Sequence, residues 1–178
     1  MGRVHPTTGL FLLLLGTGCA GGTAGTAPGD VKAYGLELPD ILEALQRGEG
    51  REALTYYERE AANLERQGAR LEAVRAYHAA AQIALRLGAY QRGISAGVRA
   101  VELLKLDRQT RETVTRQAGI RSSLGNLYRQ VGDLAQARQH YEEGLQATQV
   151  VRDPRRTLVA TGNLLRGLAA VAFAQGDY

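Results

Sequence analysis

Apolar residues recur at helical spacing through most of the chain. Ile120, Leu124, Leu127, Tyr128 and Val131 fall at i, i+4, i+7, i+8 and i+11. Leu134, Ala137, Tyr141, Leu145 and Thr148 keep the same rhythm after Gly132. A period near 3.6 predicts amphipathic helices. Glycines punctuate the pattern at a fixed beat: Gly88, Gly132 and Gly176 are 44 residues apart, and Gly48 precedes Gly88 by 40. Self-similarity at such a period predicts a solenoid of repeats. Each repeat reads as two helices back to back, with glycine at the tight turn, where a left-handed residue costs least. Further breaks are expected near Gly68, at Asp107 and at Asp153-Pro154. Proline fits the first position of a helix and aspartate its N-cap, so a helix is expected to start there.

One stretch carries a family resemblance. SLGNLYRQVGDLAQARQHYEEGL, Ser123 to Leu145, resembles a tetratricopeptide repeat. Leu124-Gly125 match the family's Leu-Gly, and Tyr128 matches its first aromatic. Gly132-Asp133-Leu134 match its turn, Ala137 its small residue, Tyr141 its second aromatic and Gly144-Leu145 its closing Ala-Leu. Small residues belong where two helix axes nearly touch, and aromatics fill the gaps beside them. Counted from the turn glycines, the small position before the turn is Ala81, Gly125 and Ala169. The one after it is Ala53, Gly93 and Ala137. Gly48 to Ala61 looks like a second helix, with Tyr57 as its aromatic.

The resemblance covers Pro39 to Tyr178 and implies an all-α fold, a right-handed superhelix of antiparallel helix pairs whose last repeat is incomplete. The family's period is about 34 residues, shorter than the beat here. Longer variants are similar to the repeats of kinesin light chains and to bacterial arrays that precede caspase-like peptidase domains. Tyr141's counterpart one repeat earlier is Gly97, so that repeat is expected to pack differently. In the last helix, Leu164, Leu168, Val171 and Ala172 are expected to lack part of their cover. Tyr178 follows the final turn by two residues. The expectation is therefore either a front piece of a longer protein or a second surface over that face, self-association included.

The N-terminus reads as an address. Residues 1–18 hold Arg3, the apolar run Leu10–Leu15 and Gly-Thr-Gly, and Cys19 follows. A charged start, a short apolar core and small residues before the cut describe a signal peptide. The run falls short of the roughly 20 residues that cross a bilayer. LLGTGC resembles the lipobox of bacterial lipoproteins, with Gly16 where that family usually has Leu. The resemblance implies lipidation of Cys19 and, with Ala20 following it, the periplasmic side of the outer membrane. A secreted or periplasmic protein without lipid is the other expectation. Residues 19–36, rich in Gly, Ala and Thr, read as a flexible tether with a reach of roughly 20–25 Å. Repeats then occupy 37–178.

Composition narrows the chemistry. With 44% hydrophobic and 22% charged residues, wholesale disorder is excluded. The net charge of +4 is modest, and acids and bases alternate along the chain, which does not read as a nucleic-acid stripe. One Cys and three His do not supply the Cys₄, Cys₃His or Cys₂His₂ set of a structural zinc site, and no metal site is expected. His78 and His140 fall in predicted helices, where a surface position is expected, and no nucleophile motif or phosphate loop occurs. No catalytic residue and no cofactor is expected. What remains is the groove that the family builds from its first helices. By position it takes Arg75, His78, Gln82 and Arg86, then Ser122, Asn126, Arg129 and Gln130, then Asn163 and Arg166. Amides and guanidinium groups can grip a peptide backbone and its carboxylates. The expected role is a non-catalytic scaffold that binds a protein or peptide, with an acidic one favoured. The alternative is the regulatory arm of a longer enzyme, such as a caspase-like peptidase.

Overall fold

In a computed structural model of the protein, the described residues are 38–106, 111–149 and 154–176. The expected signal peptide, Cys19, the expected tether and the expected breaks at Asp107 and Asp153 lie outside them. Backbone contacts divide the chain into residues 1–30 and 31–178, and every described element lies in the second unit. Among the described residues the fold is all-α. The helices are α1 (Leu38–Gln46), α2 (Gly50–Arg66), α3 (Arg70–Leu87), α4 (Tyr90–Lys105), α5 (Arg111–Gln130), α6 (Leu134–Gln149) and α7 (Pro154–Gln175). The helix expected to begin with Pro154 does so.

The glycine beat marks helix ends. Gly48, Gly68, Gly88, Gly132 and Gly176 all have positive φ, between 73° and 83°, just past a helix. At four of them the next residue's N–H donates to the carbonyl five residues back. The pairs are Glu49 to Ala44, Ala69 to Leu64, Ala89 to Ala84 and Asp133 to Tyr128, each at 2.9 Å. That closure satisfies otherwise orphaned carbonyls and reverses the chain within three residues. Asp133 also caps α6: its Oδ1 accepts from the Gln136 N–H at 3.0 Å. The beat exceeds 34 partly because the helices before successive turns lengthen, from 18 residues in α3 to 20 in α5 and 22 in α7.

Each helix packs on the next, and α1, α3, α5 and α7 also pack side by side. The helices between them form a second layer. There Arg92 of α4 meets Glu58 of α2 at 2.5 Å, and Arg99 meets Glu65. The core runs between the layers in three linked groups. Tyr57, Ile83 and Leu127 lie in the first, Val74, Leu104, Ile120 and Leu124 in the second, and Ala137, Tyr141, Leu164 and Val171 in the third.

Close approach explains several of the helical glycines. The Tyr141 ring lies against both Gly125 of α5 and Gly167 of α7, so that a Cβ at either would overlap it. Gly97 has no aromatic at its own position. Leu124 of α5 enters instead, and a Cβ on Gly97 would meet Leu124 Cδ2 at 2.7 Å. Leu127 meets Gly93 in the same way at 2.7 Å, and Leu164 meets Gly144 at 2.6 Å.

The last helix departs from its expectation. Leu164 and Val171 are fully buried, and Leu168 packs on the same core. The open face carries Leu158, Val159, Leu165 and Phe173 instead. Ala169, expected at a close crossing, is exposed, and Gly167 makes the close contact. The reason is compositional: α7 is apolar around much of its circumference, so spacing alone does not choose the inner side. The segment Thr157–Gln175 is long and apolar enough to cross a membrane by length and composition alone, as core helices of soluble proteins also can be.

Candidate functional site

Counted back from Gly88, Gly132 and Gly176, positions 44 residues apart occupy equivalent places along α3, α5 and α7. His78, Ser122 and Arg166 form one row, and Gln82, Asn126 and Ala170 another. Arg86 and Gln130 make a third, while Arg75 shares a row with Gly119 and Asn163. This common side is the candidate interface.

Its floor is tied together by polar side chains. His78 Nε2 lies 3.1 Å from Ser123 Oγ and 3.2 Å from Gln82 Nε2. The Ser123 hydroxyl donates to the Gly119 carbonyl at 3.2 Å. Burial, and then the nearby Arg116 charge, push the His78 pKa down to about 4. A neutral imidazole joined to a buried, engaged hydroxyl holds α3 against α5. Ser123, next to the expected Ser122, makes this contact. Ser122 itself is buried at 9% exposure.

Arg129 has moved inward relative to expectation. It is half-buried beside Tyr141, whose hydroxyl donates to Asn126 Oδ1 at 2.8 Å. Arg75 pairs with Glu112 at 3.0 Å across α3 and α5. Arg86, Gln130, Asn163 and Arg166 stand exposed, and Gln82 and Asn126 are half-buried. The Arg166 guanidinium donates to Asn163 Oδ1 at 2.6 Å. Seen from solvent, the face is therefore amides with two arginines that no carboxylate pairs among the described contacts.

A second polar cluster escaped the sequence reading. His140 is not on the surface: it is buried on α6 and stacks on Tyr128 with ring centroids 5.1 Å apart. Its Nδ1 lies 2.8 Å from the Arg121 guanidinium, which also pairs with Glu143. Burial, then the Arg121 charge, bring the His140 pKa to about 4. The imidazole accepts from the guanidinium while neutral, so this network joins α5 to α6. The one available signal was Arg121 itself, since an arginine on the inner stripe of a helix requires buried partners.

A cavity of about 470 Å³ opens elsewhere, between α2 and α4, lined by Glu58, Tyr77, Gln91, Arg92, Ser95, Ala96 and Arg99. Its charged walls are the Arg–Glu pairs that join those helices. Among the described residues no group of three or more His, Cys, Asp or Glu could hold a metal. No protein-family model, curated protein or solved structure matches the chain.

Proposed function

We propose that the chain is a tetratricopeptide-type array that binds a protein segment along the shared side of α3, α5 and α7. The observation that carries this reading is the side-by-side packing of alternate helices joined through glycine turns. It aligns Gln82 with Asn126, and Arg86 with Gln130, in rows that an extended peptide or a helix can follow. In the family such rows line a concave groove. Here Arg86 and Arg166 supply positive charge and the amides supply backbone partners, which suits an acidic segment. The role is holding partners together, not chemistry. The lipobox-like LLGTGC, with Cys19, suits export and lipid anchoring outside the cytoplasm.

Fluorescence anisotropy with a labelled peptide of alternating Glu and Leu tests the surface. Arg86→Ala with Arg166→Ala is expected to weaken binding about tenfold, and raising salt to weaken the wild type. Binding that ignores both changes would refute the reading.

A further inference from the structure

The open face of α7 corresponds to a face that other helices cover inside the fold. Leu158, Gly162, Leu165, Ala169 and Phe173 lie 44 residues after Val114, Ala118, Arg121, Gly125 and Arg129 of α5. On α5 that stripe lies under α6: Gly125 touches Tyr141, Arg121 reaches His140, and Ala118 shares a core with Tyr141. One repeat earlier, Val74, Tyr77 and Ala81 of α3 are likewise drawn into the core. On α7 the same stripe faces solvent, with Leu158 69%, Leu165 52% and Phe173 74% exposed, and neighbouring Val159 76% exposed.

The stripe has a symmetry of its own. Its order is large, small, large, small, large, and it reads the same from either end. Laid antiparallel on a second α7, Leu158 flanks the partner's Phe173. Gly162 then faces the partner's Ala169, and Leu165 lies beside the twofold axis. An isologous contact needs that self-complementarity, and small residues opposite one another let helix axes approach to about 8 Å. The four exposed apolar side chains offer roughly 500 Å² per protomer, so a pair would bury about 1,000 Å², the lower bound for a specific interface. Opposed helix dipoles also favour the antiparallel arrangement. We infer that α7 is the contact surface of a homodimer, in which a second copy of the chain covers Leu158, Gly162, Leu165, Ala169 and Phe173 antiparallel about Leu165.

Charge gives the contact its own signature. Every charged residue of α7 is an arginine, and Arg166 adjoins the axis. Added salt therefore screens like charges and tightens the pair, opposite to its effect on acidic-peptide binding. The inference does not depend on the peptide-binding face.

Sedimentation of the full chain carrying Cys19→Ser, which removes both the lipid and the native thiol, tests it. A dimer at micromolar concentration is expected, with association weakened at least tenfold in Leu165→Asp or Phe173→Asp and circular dichroism unchanged. In the same background, Leu165→Cys is expected to form an intermolecular disulfide on oxidation. Leu158→Cys, roughly 20 Å from its own copy, is not. A monomeric chain, or a dimer indifferent to both aspartates, overturns the inference. So does a monomer that floats with phosphatidylglycerol vesicles in a Phe173-dependent way, because the face would then belong to a lipid surface.

Discussion

At the scale of single residues, two kinds of glycine do different work. Gly132 has φ +83° with open space around the position of a Cβ, whereas Gly125 has a helical backbone and the Tyr141 ring in contact. Gly132→Ala is expected to cost about 1 kcal/mol, the price of a left-handed alanine. Gly125→Ala forces the ring aside and is expected to cost about 3 kcal/mol, at the upper end for overpacking. Thermal melts rank the two. Adding Tyr141→Leu to Gly125→Ala should recover stability, although Tyr141→Leu alone lowers it; a purely additive pair would place the clash elsewhere.

The buried imidazoles set a pH dependence. Arg116, Ser123 and Gln82 surround His78, while Arg121, Glu143 and Tyr128 surround His140. Each folded pKa, about 4, lies below the unfolded value of 6.5. Between those values the unfolded chain binds more protons, so the contribution is full above pH 6.5 and disappears as pH falls toward 4. At about 1.4 kcal/mol per pKa unit this is on the order of 3–4 kcal/mol apiece. Denaturant midpoints measured from pH 7 to pH 4 should fall. His140→Gln should flatten the slope, and an unchanged slope would mean that His140 is already accessible to protons in the fold.

At the scale of elements, the turns were legible and the inner sides only partly so. Glycine followed by Glu, Ala or Asp marked four reversals, because only a left-handed residue lets the next N–H reach back to the helix. Ala81, Gly125, Ala53, Gly93 and Ala137 were recognisable as close-packed, since a regular beat repeats the same steric demand. In α7 that logic was insufficient: Leu158, Leu164, Leu165, Val171 and Phe173 give apolar residues on opposing sides, and the Gly167–Tyr141 contact selects the inner one. The candidate face suffered a similar one-residue ambiguity at Ser122 and Ser123, where helix rotation decides which hydroxyl meets His78. Caps also differ between elements. α2, α3 and α4 begin without a side-chain cap, while α6 has Asp133. Asp133→Ala should therefore lower stability by about 1 kcal/mol, visible as a shift in the denaturation midpoint.

At the scale of the molecule, each helix rests mainly on its immediate neighbours. The Arg–Glu pairs that cross from α2 to α4 are exposed or nearly so and contribute little beside the core. Stability in such a stack spreads through nearest-neighbour contacts and falls away from a local defect. The central claim is thus a linear array of helix pairs. Its most direct test is amide hydrogen exchange on the full chain with Gly125→Val. The array predicts that exchange accelerates strongly in α5, α6 and α7, while the protected centres of α2 and α3 change far less. Equal acceleration in every helix would contradict it, because the helices would then share one undivided core.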